Sequence, residues 1–291
     1  MMWLFSLFYQ MRYNYFRNFF YRSKPDCAVI WNGNRTCGFL FARAAQDCKI
    51  PCLYLERSPF ADMLTIDPNG TNFNNSLIRH KDFYINWWQT QSNQISLECI
   101  KEKLPRRHAM IRPCSTTQVP TRLLKKERFI FCPLQGKDAT STYPLSDWIT
   151  SDLEFLHLLS RAAKYLPKDW YFRIKQHPLN KASYASMINK IAHDRICLDN
   201  DTDTFTQVSS SQAVMTVDSA VGLQSFLFDK PVITCGKAFY SFGNMTTQVN
   251  STSELARVLN NIPELYYDHH LRKIFLNYLI KEYYVSYHGT L

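Results

Sequence analysis

The chain has 291 residues, is 46% hydrophobic and 20% charged, and carries a formal net charge of +10. That length and apolar share exclude a disordered chain and allow one large α/β domain or two α/β halves. The basic excess suits a polyanionic substrate, anionic lipid or nucleic acid, but no RRM, KH or zinc-finger pattern accompanies it, so no nucleic-acid partner is expected.

Nine cysteines are scattered at irregular spacing, which fits reduced thiols in a cytosolic protein. Cys48 and Cys52 have no second pair, so no metal site is expected. No run is long enough to span a bilayer, and Met1–Tyr9 lacks the basic start of a signal peptide.

Met1–Arg22 reads as an aromatic, basic amphipathic helix that either packs on the domain or rests on an anionic membrane surface; such stripes more often pack. Cys27–Trp31 reads as a strand closed by the turn Asn32-Gly33-Asn34. Phe39–Asp47 has helical spacing, and Pro51–Leu55 is the next strand, ending at Glu56. Together they form a βαβ unit with a right-handed crossover. Ser58–Asn75 is rich in loop residues, and Ile78–Ile95 reads as a helix carrying Phe83, Tyr84, Trp87 and Trp88.

Lys101–Arg128, with Pro105, Pro113 and Pro120, is taken as a linker, which sets an N-terminal half over 1–120 and a C-terminal half over 121–291. Arg128–Leu134 opens the second half as a strand followed by Gln135-Gly136-Lys137-Asp138. Asp152–Tyr165 is an amphipathic helix. Tyr171–Lys175 is a strand running into Gln176-His177-Pro178, and Tyr184–Ala192 is another helix. Ala213–Val217 is an apolar, Cβ-branched strand, Asp218 and Ser219 are capping types, and Ala220–Phe228 has the spacing of a buried helix. Asp229, Lys230 and Pro231 break it before the strand Val232–Thr234. Ser251-x-x-Glu254 is a capping box, and Leu265–Tyr284 reads as a long closing helix.

Strand, loop and helix thus repeat three times in the second half, and the loops carry Asp138, then His177, then Asp218-Ser219. On one parallel sheet these loops share the carboxyl edge, where α/β folds place ligands. Pro178 fixes the turn that presents His177, and alternation puts Lys175 on the same face. On residue type alone, His177 fits a structural role more often than a phosphate ligand. Ser219 either caps its helix or, with the following N–H groups, holds a phosphate. No Walker loop is present, so a nucleoside monophosphate leaving group or a sugar nucleotide suits the site better than ATP. Glu56 and Asp138 come from opposite halves, a layout suited to glycosyl transfer if they face one cleft. Each also fits an ordinary surface acid.

Six blocks in order carry a resemblance: Asp26–Arg35; Leu53–Asn72 (LYLERSPFADMLTIDPNGTN); Ser76–Tyr84 (SLIRHKDFY); Pro133–Thr140 (PLQGKDAT); Lys175–Pro178; and Thr216–Tyr240. On these the chain resembles the capsule polysaccharide biosynthesis proteins of the KpsS/KpsC type, bacterial retaining β-Kdo glycosyltransferases. The resemblance implies an α/β, GT-B-like fold of two Rossmann-like halves facing a cleft, with a shortened N-terminal half. It implies CMP-Kdo as donor, bound by Lys175, His177, Pro178, Asp218, Ser219 and Gly222, with Asp138 as nucleophile and Glu56 as acid/base. Arg57, Asp67 and Asn72 would lie on the acceptor side. No cofactor is implied. The acceptor would be a lipid-linked or growing glycan at the cytoplasmic face of the inner membrane, beside capsule assembly proteins. Rival readings are another CMP- or UDP-sugar transferase and a non-catalytic glycan-binding or scaffold protein. Two positions depart from the family pattern: Ala220 replaces a second hydroxyl residue, and Arg57 stands where glycine is common.

Overall fold

The computed structural model describes residues 2–34, 36–105, 127–135, 146–177, 184–190 and 195–287. Asp138 and Pro178 fall outside these residues. The chain divides into two compact units, Met1–Ile78 with Tyr278–Leu291, and Arg79–Asn277. The division is not the one expected at residue 120, because Lys81–Gln89 and Leu97–Glu102 belong to the second unit and the chain's last strand returns to the first.

Among the described residues, the first unit holds a four-stranded sheet in the order β1-β2-β3-β10. β1 (Ala28–Trp31) and β2 (Cys52–Arg57) are parallel, joined by α2 (Thr36–Asp47) in the expected βαβ unit. β3 (Met63–Asp67) pairs antiparallel with β2, and β10 (Tyr284–Ser286) antiparallel with β3. β3 falls inside the stretch read as loop. It is a run of only five residues, four of them buried, that gains its partners when folded back on β2.

α1 (Met2–Ser23) and α2 cover one face of this sheet through Phe20, Ala28, Ile30, Ala42, Ala45 and Tyr54, with Tyr13 and Phe16 packed against them. Residues of the other face, Val29, Trp31, Ile66 and Val285, are exposed. The Asn32-Gly33 turn forms as expected, with both residues at positive φ, 64° and 73°. At Gly33 a Cβ would sit 2.6 Å from the Tyr54 ring, so the turn needs glycine there.

Among the described residues, the second unit holds a six-stranded, all-parallel sheet in the order β6-β5-β4-β7-β8-β9. The strands are β4 (Arg128–Pro133), β5 (Trp170–Lys175), β6 (Ile196–Leu198), β7 (Ala213–Thr216), β8 (Val232–Thr234) and β9 (Thr247–Gln248). β6 and β9 escape the three-repeat reading because three and two residues carry too little periodicity. β4 is buried on both faces. Ile130 and Cys132 enter one apolar layer with Phe155, Leu156 and Leu159, while Phe129 and Phe131 enter another with Val208, Val214 and Val221. Such two-sided burial is what an interior strand of a parallel sheet requires.

The helices follow their caps. α3 is Lys81–Gln89, shorter than the helix expected over 78–95, and α4 (Leu97–Glu102) follows beyond that stretch, opened by the Ser96 hydroxyl accepting from Cys99 N. α5 (Asp152–Ala162) is capped by Ser151. α6 (Ala185–Lys190) and α7 (Thr204–Ser210) follow, α7 capped by Asp203. α8 (Ala220–Gln224) runs on as a 3-10 turn to Phe228, ended by left-handed Asp229. α9 (Thr252–Asn260) is capped by Ser251, and Glu254 reaches back to Asn250 N at 2.7 Å. α10 (His269–Tyr278) is shorter than the closing helix expected over 265–284. It passes through a π turn into β10, where Tyr284 and Val285 find cross-strand partners in Thr65 and Leu64.

Two buried cations brace the second sheet. Arg173 on β5 is fully buried and pairs with Asp199, which follows β6; its Nη1 also meets the Tyr171 hydroxyl at 3.0 Å. Asp199 Oδ1 accepts from Asp201 N and Thr202 N, both at 2.9 Å. Burial pushes the Asp199 carboxyl up, but the Thr202 and Arg173 hydrogen bonds outweigh it and hold the group below its ordinary value. Arg272 on α10 is sandwiched between the Phe226 and Tyr267 rings at 4.1 and 3.8 Å, and donates to Met245 O and Lys230 O. Burial pushes its guanidinium down to about 9.

Asp199→Asn removes the nearer of two carboxylates on a buried guanidinium, Glu127 Oε2 remaining at 3.5 Å, and should cost about 1–3 kcal/mol at neutral pH. Because the folded carboxyl titrates below the unfolded one, this stability is present above the unfolded value and lost as pH falls through the folded one. Urea titrations should therefore show the gap between wild type and variant narrowing below about pH 4.

Candidate functional site

The strand order of the second sheet places its site. β4 leads to β5 and β6 on one side, and β7 to β8 and β9 on the other. The connections therefore diverge between β4 and β7, and a crevice opens at the carboxyl ends of these two strands. This order is that of a Rossmann-type nucleotide-binding sheet.

Three strand ends are tied together there. Leu134 N, just past β4, donates to Lys175 O at 2.8 Å, linking the β4 and β5 ends. Gln135 spans to β7: its Nε2 donates to Thr216 Oγ1 at 3.2 Å, and its backbone N to Asp152 Oδ1 at 3.1 Å. Thr216 Oγ1 also accepts from Ser219 N at 3.2 Å. The loop that carries Asp138 leaves from Gln135, so it departs from one side of this crevice; Asp138 itself lies outside the described residues.

The other expected donor-side residues are placed as follows. Lys175 turns to the loop after β6 and donates to Asn200 O at 2.7 Å and Thr202 O at 2.6 Å. Gln176 exchanges hydrogen bonds with the Asn200 side chain at 2.9 and 3.0 Å, and His177 follows it half-buried at the strand end. Ser219 Oγ caps α8 by accepting from Val221 N at 3.2 Å, and Tyr240 donates its hydroxyl to Ser219 O at 2.5 Å. Gly222 is buried under that phenol. A Cβ there would lie 2.2 Å from Tyr240 Oη, so glycine serves the close approach of Tyr240 rather than the phosphate contact that the resemblance implies. Asp218 is only half-buried as a residue, but its Oδ1 is sealed and has no hydrogen-bond partner among the described residues. Burial raises its carboxyl well above the ordinary range.

In the first unit, Glu56 sits at the end of β2 and accepts from Asn32 Nδ2. Asn34 Nδ2 donates to Thr71 Oγ1 at 2.9 Å, and Thr71 Oγ1 to Asn32 O at 3.2 Å. Asn32, Asn34, Glu56 and Thr71 therefore form a polar cluster at the ends of β1 and β2. Arg57 is exposed, and Asn72 is half-buried at positive φ, 54°, at the start of a 3-10 turn. Asp67 is fully buried, and its carboxylate accepts from Asn69 N, Gly70 N, Ser76 N, Ser76 Oγ and the Tyr283 hydroxyl. Those bonds make Asp67 the anchor of its loop, not a group open to an acceptor.

Thr216, Gln135, Asn200 and Asn32 were missed as site-shaping residues. The Asn-Gly turn was the only signal for one of them, since the others depend on which strands become neighbours. Among the described residues, no three His, Cys, Asp or Glu side chains come together as a metal site would require. Of the described cysteines, Cys132 and Cys235 are buried while Cys37 and Cys99 are exposed, so burial is less general than the apolar runs suggested.

Comparison with known proteins agrees with this geometry. Residues 104–287 match the family described as capsule polysaccharide biosynthesis protein. That stretch is more than half of the chain and spans the whole Rossmann-type sheet: the chain belongs to this family. It is 26% identical over 261 residues to the protein FixF of Sinorhizobium fredii, covering 89% of this chain and 60% of that protein. It is 28% identical over 121 residues to the capsule polysaccharide export protein KpsS of Escherichia coli, covering 39% of this chain and 30% of that protein. The chain thus spans less than two thirds of the curated relatives it matches. Among solved structures it resembles two KpsC domains of Thermosulfurimonas dismutans. The β-Kdo 2,4-transferase aligns with TM-score 0.56 and 16% identity, covering 88% of this chain and 79% of that one. The β-Kdo 2,7-transferase aligns with TM-score 0.55 and 16% identity, covering 93% and 85%. The fold is α/β and GT-B-like, with Rossmann-like sheets.

Two substitutions test the local geometry. Gly222→Ala should drive Tyr240 off Ser219 O and lower stability by about 1–3 kcal/mol, read by chemical denaturation. Asp218 has a raised folded value, so its contribution to stability is full below the unfolded carboxyl value and is lost as pH rises towards the folded one. Asp218→Asn should therefore match the wild type below about pH 4 and exceed its melting temperature increasingly at neutral pH.

Proposed function

We propose that the chain is a glycosyltransferase of bacterial surface-polysaccharide synthesis that takes a CMP-activated β-Kdo or a related ulosonic acid as donor. The observation that carries this reading is the crevice at the β4/β7 divergence, formed inside the very residues that match the capsule family. Gln135, Thr216 and Ser219 converge there, next to Asp218, whose sealed Oδ1 has no partner among the described residues. His177 stands at the neighbouring strand end, where its N–H or imidazolium suits the single phosphate of CMP.

The reaction proposed is a double displacement. The Asp138 carboxylate attacks the anomeric carbon of Kdo. The bond from that carbon to the phosphate oxygen breaks, and CMP leaves with the electron pair. An acceptor hydroxyl, deprotonated by Glu56, then forms the new glycosidic bond as the bond to Asp138 breaks and its electron pair returns to the carboxylate. Two inversions give retention. Asn32 holds Glu56 from one side and fits it for that proton transfer. The acceptor proposed is a lipid-linked or growing glycan, and the scheme draws on no cofactor.

A binding-only reading has one observation in its favour. The Ser219 hydroxyl is already spent on Val221 N, and Ala220 offers no second hydroxyl. The two readings part on a paired experiment. CMP, and not UDP, should raise the melting temperature by a few degrees at saturation. Asp138→Asn should keep that rise while losing Kdo transfer to a lipid-linked acceptor by at least about a thousandfold. A wild type that responds to CMP without transferring would support binding alone. Wild-type transfer by Asp138→Asn would remove Asp138 as nucleophile.

A further inference from the structure

α1 uses only part of its surface to pack. Tyr13, Phe16 and Phe20 face α2; the Tyr13 hydroxyl reaches Asp47 at 2.5 Å, and the Phe16 and Phe20 rings lie 5.2 and 4.8 Å from that of Phe41. The opposite side carries a second apolar stripe. Leu7, Phe8, Met11, Tyr15 and Phe19 are 42%, 49%, 64%, 70% and 47% exposed. Their three- and four-residue spacing puts them on one face, running about 18 Å along the axis. A helix needs one such stripe to join its own core, so the second has no use within the chain as folded.

The charge on this helix says what the stripe fits. Met1–Pro25 holds Arg12, Arg17, Arg22 and Lys24 and no Asp or Glu. All four cations are exposed; Arg12 and Arg22 lie beside or on the aromatic stripe, Lys24 just past the helix end, and Arg17 on the far side. A protein partner would have to supply an acidic, apolar counter-surface. An anionic bilayer supplies both properties at once, with headgroup phosphates for the cations and an interfacial layer for Tyr and Phe rings. Among the described residues no helix is long and apolar enough to cross a membrane, so this geometry is that of a helix lying in the interface.

We infer that α1 docks the protein on an anionic phospholipid surface through Leu7, Phe8, Met11, Tyr15 and Phe19, with Arg12, Arg22 and Lys24 on headgroup phosphates. The inference stands on the helix alone and is independent of the donor-site reading.

Co-sedimentation of the full chain with vesicles tests it. Binding should occur with phosphatidylcholine mixed with phosphatidylglycerol, be much weaker with phosphatidylcholine alone, and fall as salt rises. Met11→Glu with Tyr15→Glu changes only exposed positions, so circular dichroism and the CMP melting response should be retained while vesicle binding is lost. Arg22→Gln with Lys24→Gln should weaken binding about fivefold per charge removed. No binding to the mixed vesicles, or equal binding to neutral ones, would overturn the inference. So would a dimer in light scattering that the Met11→Glu, Tyr15→Glu variant abolishes, which would assign the stripe to a second copy.

Discussion

The placement of β4 at the centre of the second sheet is the constraint on which the rest depends. β4 pairs in parallel with β5 on one side and β7 on the other, and it is buried on both faces. Parallel pairing sends all carboxyl ends to one edge. The divergence between β4 and β7 then leaves a crevice that the intervening helices, lying on the sheet faces, do not fill. Thr216 fixes the width of that crevice at its base, accepting from Gln135 of one loop and Ser219 of the other.

The energetics around the crevice fall into two kinds. Away from it, Arg173 is engaged with Asp199, Arg272 with two carbonyls and two rings, and Asp67 with five donors, while Gln207 Oε1 on α7 is sealed without a partner among the described residues. At its rim the satisfaction is incomplete, since Asp218 holds a sealed oxygen with no partner among the described residues. A buried carboxyl without a partner costs stability, and such costs concentrate where a ligand completes the set. The divergence of β4 and β7, with Asp218 at its rim, is the physical reason to expect the nucleotide at this edge rather than at the ends of β1 and β2, where Asn32, Glu56, Asn34 and Thr71 bond among themselves.

Much of this was legible from residue order. The βαβ over 27–56, the strands around 128–134, 171–175 and 213–217, and the caps at Ser219 and Ser251 carry local chemistry that no tertiary contact overrides. Asp218, Ser219 and His177 were placed at the correct edge because strand ends can be read from Pro178 and from the capping types. What local pattern could not carry was partnership. Lys175 has the alternation of a site residue, yet its ammonium finds two carbonyls of the β6–α7 loop. Gly222 sits in a phosphate-loop pattern, yet a phenol from Tyr240, eighteen residues on, claims the space. Asp67, expected on the acceptor side, is fully buried and holds its loop together. β3 and β10 are too short to declare themselves and exist because each supplies the other's hydrogen bonds.

The central claim is that a nucleotide occupies the β4/β7 edge. Hydrogen–deuterium exchange with and without CMP measures it most directly. Slowed exchange on addition of CMP is predicted in peptides spanning 130–145 and 214–224, with little change in peptides of 28–75. No protection in either second-unit region, or protection confined to the first unit, would contradict the account.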